Sequence, residues 1–217
     1  MPTVMIIGAS RGIGLELVRQ YAHDGWRVHA TTRTPEQPGQ LGTLSDDVTI
    51  HALDVRCAEQ IARLTAAVAH EGIDVLIHNA GVSGRGMSRQ EVMAVNAVAP
   101  IRVAQALLGA VQRGTEKKIV LMTSQLGARY GSTRSLGSYG DSKATLNDTF
   151  RTLAPEWGRT GLIAIVLHPG WVRTNMGGAS APLSVADSVR GMRRVIAALT
   201  AAAHGRFWTW QGREHPW

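Results

Sequence analysis

The stretch Thr3–Val18, TVMIIGASRGIGLELV, decides how the chain is read. Its first residues form a short apolar run without alternation, as expected of a strand buried on both faces. The run leads directly into Gly8-Ala9-Ser10-Arg11-Gly12-Ile13-Gly14, and helical spacing continues over 12–24. Glycines allow a tight turn and let backbone amides come close to a pyrophosphate. The start of a helix adds a favourable field for an anion. A glycine-rich loop alone is often just a turn. Set between a first strand and a helix, it points to dinucleotide binding. Gly8, Ser10, Arg11, Gly12, Ile13 and Gly14 are therefore the expected phosphate cradle.

The same alternation continues outward. RVHATTR (27–33) is followed by a loop, VTIHALDV (48–55) by a helical pattern over 57–70, and DVLIHNAG (74–81) by one over roughly 88–113. KIVLMTS (118–124) precedes helical spacing at 138–157, LIAIVLHPG (162–170) precedes 184–202, and GRFWTW (205–210) closes the series. Strand–helix alternation predicts an α/β fold: a doubly wound parallel sheet of about seven strands, with helices on both faces in three layers. Ligands of such sheets bind beyond the carboxyl ends of the strands, so functional residues are expected just after each strand. Residues 1–217 are expected to form one dinucleotide-binding domain, with a segment from about 171 to 217 contributing the substrate pocket.

Composition narrows the function classes. Of 217 residues, 44% are hydrophobic and 18% charged, which suits a packed domain and not a disordered chain. No apolar run approaches the roughly 20 residues of a membrane helix, and MPTVMIIGAS lacks the basic start of a signal peptide, so no membrane association is expected. Cys57 is the only cysteine, which excludes an intrachain disulfide and fits a reducing cytoplasm. The net charge of +7 comes from dispersed arginines with no basic stripe, so nucleic acid is not an expected partner. The histidines show no metal-ligand spacing, and no metal is expected.

Two strand ends bear on the cofactor. The second strand ends in Thr32 followed by Arg33, where an NAD site usually carries an acid for the ribose 2′-hydroxyl. With no carboxylate there, and with Arg33 and Arg11 available to pair with a phosphate, NADP(H) is expected over NAD(H). At the end of the third strand, Asp54 is placed either to accept from the adenine amino group, with the Val55 amide donating to the ring, or simply to cap the next helix.

The remaining unusual residues fall after later strands. They are Asn79-Ala80-Gly81, Asn96 in the following helix, Ser124, the pair Tyr139 and Lys143 one helical turn apart, and Pro169-Gly170-Trp171-Val172-Arg173-Thr174. Together with the glycine loop, these motifs resemble the short-chain dehydrogenase/reductase family, in its order and along nearly the whole chain. The short length and the ending GRFWTWQGREHPW resemble its small C-factor-like, carbonyl-reductase-like branch.

The resemblance implies a Rossmann fold and an NADP-dependent oxidoreductase acting on a carbonyl or alcohol. Tyr139 would be the general acid/base, and Lys143 would lower its pKa and bind the nicotinamide ribose. Ser124 would hold the substrate oxygen. Asn96 would belong to a proton relay from Lys143. Asn79, Ala80 and Gly81 would let a flat cofactor ring or ribose lie against the backbone, or simply form a turn, and Pro169, Gly170, Val172 and Thr174 would hold the nicotinamide end. Homodimers or homotetramers through the helices at 96–113 and 139–157 are also implied.

The chain departs from the family pattern in places. His78 stands where a second asparagine is usual, and the segment between Gly81 and Asn96 is trimmed. The loop between Ser124 and Tyr139 is slightly long. It holds Ser132, Ser135 and Ser138 as competing serines, but only Ser124 ends a strand. Pocket candidates are Val82, Ser83, Leu126, Trp171, Met176 and tryptophans 208, 210 and 217. Only Arg85 and Arg129 could read a substrate carboxylate, so a small neutral carbonyl compound or alcohol is expected. The other reading on this fold is a cofactor-bound signalling or regulatory protein with little turnover. The complete Ser124/Tyr139/Lys143 set argues against it.

Overall fold

The structure is a computed structural model that describes residues 1–44, 47–130 and 137–217. Seven parallel strands form one sheet: β1 (Thr3–Ile7), β2 (Arg27–Thr32), β3 (Val48–Ala52), β4 (Val75–His78), β5 (Lys118–Met122), β6 (Ile163–His168) and β7 (Phe207–Thr209). Their order is β3-β2-β1-β4-β5-β6-β7. The chain winds outward from β1 to β3, then returns to place β4 on the other side of β1. The loops after β1 and β4 diverge at that reversal, which opens a crevice at the carboxyl ends of the strands.

The unbroken apolar runs are explained by burial on both faces. Val4 and Ile6 of β1 face a layer formed by α1 (Gly12–His23) and α6 (Val185–Ala197). Met5 and Ile7 face the opposite layer, formed by α2 (Ala58–Ala67), α4 (Ala99–Arg113) and α5 (Gly137–Arg159). The register of β1 with β4 pairs Val4 with Val75 and Met5 with Leu76, so side chains on neighbouring strands share faces. The edge strand β3 has one neighbour and is only partly buried, unlike the central strands.

Two helices are shorter than their sequence patterns. Helix α2 ends at Ala67, where its C-cap Val68 leaves helical geometry at φ −110° and ψ 17°. Helix α6 ends at Ala197, and a separate turn, Ala201–Ala203, covers the rest of that pattern.

Between β4 and β5 the helical path runs from α3 (Arg89–Met93) through a π-helical segment, Ala94–Val98, into α4. A capping box between Ser88 and Glu91 starts it. Contrary to the expectation of no long apolar run, Arg89–Arg113 is long and apolar enough in composition to cross a membrane. Its apolar residues Ile101, Val103, Ala104, Leu107 and Val111 are buried in the core against the sheet.

Candidate active site

A cleft of about 570 Å³ lies at the carboxyl ends of the central strands, and the glycine loop forms one wall. Gly8 has φ +83°, and a Cβ there would lie 2.8 Å from the Ala80 Cα, so only glycine fits. A Cβ on Gly14 would lie 2.0 Å from the Gly8 carbonyl oxygen, which explains the close packing of α1 on the loop. The loop is tied from both sides: Gly8 N donates to Thr31 Oγ1 at 2.9 Å, and Asn79 Nδ2 donates to Gly8 O at 2.7 Å. Arg11 occupies the N-cap of α1 without a side-chain capping bond, and no acid sits in the first turn. The positive end of the helix therefore opens on the cleft without a carboxylate to oppose an anion.

At one end of the cleft lie Arg11, Thr32, Arg33, Leu53, Asp54, Val55 and Arg56. Asp54 does not cap the next helix, whose N-cap, Cys57, has no side-chain capping bond; its carboxylate closes on Arg56 instead. Its Oδ1 accepts from Arg56 N at 2.9 Å and Arg56 Nε at 3.0 Å, and its Oδ2 accepts from Arg56 Nη2 at 2.7 Å. These bonds, chiefly those from the Arg56 side chain, hold the carboxyl down at about 2. Sequence reading had not singled out Arg56.

At the other end, Tyr139 and Lys143 line the cleft beside Gly81, Val82, Met87, Met122 and Met176. Ser124 ends the strand segment and caps the turn Gln125–Gly127, accepting from Leu126 N at 3.1 Å. The Ser124 side chain also hydrogen-bonds the Tyr139 phenol. Lys143 is only 4% exposed and donates to Met122 O at 2.8 Å. The turn after Ser124 presses on α5: a Cβ on Gly127 would lie 2.7 Å from the Lys143 carbonyl carbon.

Asn96 sits in the π-helical segment and is wholly buried. Its Oδ1 accepts from Val82 N at 2.8 Å, while Nδ2 donates to Val82 O at 2.8 Å and to Ser142 Oγ at 3.1 Å. Ser142 in turn donates to Tyr139 O at 2.7 Å. Asp141 makes a 2.7 Å ion pair with Arg89 and links α3 to α5.

The family model of the short chain dehydrogenases matches residues 2–182. The chain belongs to the short-chain dehydrogenase family. Among its relatives, the C-signal protein of Myxococcus xanthus is 40% identical over 154 residues, covering 67% of this chain and 93% of that protein. The NADPH-bound carbonyl reductase from chicken fatty liver superposes with a TM-score of 0.90 at 29% identity, covering 100% of this chain and 99% of that one. A carbonyl reductase from Pseudomonas aeruginosa PAO1 in complex with NADP gives a TM-score of 0.85 at 33% identity, with 100% of both chains covered. Both the fold and the carbonyl-reductase-like branch expected from the sequence are thereby supported, and the chain is a member of an oxidoreductase family.

The electrostatics of this short-chain dehydrogenase differ from expectation at the tyrosine. Burial raises the Tyr139 phenol above its ordinary value, and the Ser124 hydrogen bond opposes that rise. The lowering expected from Lys143 is not among the influences on the phenol in this arrangement, where burial outweighs the Ser124 hydrogen bond. Burial also brings Lys143 down to about 8. His78 is 1% exposed, and neither ring nitrogen has a hydrogen-bond partner. Burial, reinforced by the Lys143 charge, pushes it down to about 3 and keeps it neutral.

Not every expected site residue faces the cleft of this dehydrogenase. Ser10, Gly12, Ile13, Ala80, Pro169 and Thr174 do. Gly14 serves helix packing instead, and Val172 is buried and pairs with Leu183. Gly170 (φ +90°) makes a close turn against Leu183 and Trp210.

Of the pocket candidates, Val82 and Met176 line the cleft. Trp208 and Trp210 pack, partly buried, against one core layer and Trp217 against the other, and none of the three lines the cleft. Trp171 is exposed, with Nε1 donating to Gly177 O at 2.9 Å. Arg129 is drawn to Asp148 at 3.5 Å. Ser132 and Ser135 lie outside the described residues.

Proposed function

We propose that the protein is an NADP(H)-dependent oxidoreductase that interconverts a small neutral carbonyl compound and its alcohol. The observation that carries the reading is a single cleft with Tyr139, bonded to Ser124, and Lys143 at one end, and Arg11 and Arg33 at the other. The residues present fit a dinucleotide phosphate. Gly8 and Gly14 allow an approach no side chain would permit, the start of α1 is free of acid, and Arg33 directly follows the second strand. The NADP of related carbonyl reductases supports the same choice.

The bound nicotinamide supplies or accepts the hydride, and the protein handles position and the proton. Ser124 donates to the substrate oxygen and holds it beside the Tyr139 hydroxyl. Tyr139 gives its phenolic proton to that oxygen in reduction and takes it back in oxidation. As the proton leaves, the Lys143 cation stabilises the phenolate. Lys143 also binds ribose hydroxyls. Asn96 anchors the Val82 turn and keeps a second Oδ1 lone pair for a water that returns protons to Lys143.

The cleft wall near Tyr139 is built from Val82, Met87 and Met176, which favours an uncharged substrate. The reading also includes a homodimer or homotetramer through the helices bearing Asn96 and Tyr139, and a cytoplasmic setting. The C-signal relative keeps a regulatory role in view for this chain. NADPH oxidation followed by absorbance with a panel of neutral aldehydes and ketones tests the choice. Turnover is expected, and NADPH binding without turnover of any of them would support the regulatory reading instead.

A further inference from the structure

Helix α5 carries a buried amide that the proton chemistry does not use. Asn147 lies one helical turn beyond Lys143 and is only 2% exposed, among the fully buried Ala144, Leu146 and Phe150 of the same helix. A polar side chain in such a place costs free energy unless it is hydrogen-bonded, and asparagine is a poor residue for a helix interior. An apolar residue would suit both the helix and the core better. What Asn147 does is therefore read from its bonds.

Both ends of its amide are engaged. Oδ1 accepts from Thr123 Oγ1 at 2.7 Å, and Nδ2 donates to Gly127 O at 3.2 Å. These partners bracket Ser124: Thr123 precedes it, and Gly127 ends the turn that Ser124 caps. The turn is closed on itself, with Gly127 N donating to Ser124 O at 2.8 Å. The Ser124 hydroxyl accepts from Leu126 N inside that turn, so whatever fixes the turn fixes the hydroxyl. Gly127 also packs on the Lys143 backbone without room for a side chain. The strand end that bears Ser124 and the helix that bears Tyr139 and Lys143 thus meet twice, once through this backbone contact and once through the Asn147 amide. Asn147 itself is not part of the cleft wall.

Building on the oxidoreductase reading above, we propose that Asn147 is a positioning residue for the reaction. It holds the Ser124 turn against α5, so that the Ser124 and Tyr139 hydroxyls converge on one substrate oxygen. Asn147 acts through Ser124 and touches neither substrate nor cofactor. Catalytic geometry is sensitive to such support, since a misplacement of about 1 Å can lower a rate on the order of a hundredfold.

The test is carbonyl reduction by wild type, Asn147→Ala, Ser124→Ala and the double variant, alongside NADPH binding followed by nicotinamide fluorescence. Thermal unfolding checks that each variant is folded. Asn147→Ala is expected to lower kcat by about tenfold to a hundredfold, with NADPH affinity within about twofold of wild type. In the Ser124→Ala background the same change should lower kcat by less than about twofold, because the hydroxyl it places is already gone. Wild-type kcat in a folded Asn147→Ala would overturn the proposal. So would the same loss in both backgrounds, which would make Asn147 a general support of the core. Should Asn147→Ala fail to fold, Thr123→Val removes one of the two bonds and keeps the shape. Its kcat should then fall several-fold, and Thr123→Ser, which returns the hydroxyl, should recover most of that loss. Equal rates for the valine and serine variants would overturn the proposal. Failure of wild type to reduce any carbonyl compound while binding NADPH would instead remove the oxidoreductase reading itself, and the positioning role with it.

Discussion

Asn96 donates its side-chain amide to Ser142 across 3.1 Å, joining the π-helical segment of one helix to the turn of α5 between Tyr139 and Lys143. The same amide holds both backbone groups of Val82. One buried side chain therefore sets the spacing of three walls of the catalytic end. A π-helical turn is uncommon and tends to mark functional sites, and here it aims Asn96 inward.

Asn96→Ala should cost stability as well as rate. It leaves the Val82 amide and carbonyl without these partners in a largely buried place, a loss of about 2–4 kcal/mol. Urea unfolding should show a lower midpoint with an unchanged slope, and turnover should fall with it. A variant with wild-type stability would mean that the three hydrogen bonds contribute nothing net.

The pH dependence of turnover should follow Lys143. Its folded value is about 8, so the cation is present below that and lost above it. Carbonyl reduction should therefore decline as pH rises through about 8. In Lys143→Arg, whose guanidinium stays charged, the residual activity should not show that decline. An alkaline limb at the same pH in this variant would assign the titration to another group.

Stability in acid should depend on His78. Its folded value, about 3, lies below the ordinary 6.5 of an unfolded histidine. Between those values the unfolded chain binds the extra proton, so stability falls as pH falls, by about 1.4 kcal/mol per unit. From pH 6.5 to pH 5 that is about 2 kcal/mol. Urea midpoints of His78→Asn at the two pH values should differ less than those of wild type. An identical pH dependence would remove His78 from the account.

Cofactor choice should rest on Arg33. Arg33→Asp should weaken NADPH at least about tenfold more than NADH, since it replaces a phosphate partner with a charge that repels one. Equal losses in a binding titration would contradict the 2′-phosphate role.

Much of this was legible in the sequence, for identifiable reasons. Central parallel strands buried on both faces leave unbroken apolar runs, as TVMII and KIVLM do, and glycines mark the turn where phosphate is expected. Tyr139 and Lys143 were readable because one helical turn separates them. What remained hidden depends on contacts distant in sequence. Asn79 reaches Gly8 only because β4 returns beside β1, and composition alone does not encode that order. The grip of Arg56 on Asp54 is local, yet any arginine near a strand-end aspartate could equally have been solvated. The tryptophans at 208, 210 and 217 pack against the core because β7 and the segment after it lie along the sheet layers. The burial of His78 without a hydrogen-bond partner comes from its place between Ile7 and Leu121.

The central claim is that Tyr139 moves the proton while the cleft binds the dinucleotide independently of it. Tyr139→Phe removes one hydroxyl and keeps the ring, so it isolates that claim. The decisive measurement is NADPH-dependent carbonyl reduction by this variant, alongside NADPH binding. The account predicts that turnover is abolished, with NADPH affinity within about threefold of wild type. Turnover retained at the wild-type rate would contradict it.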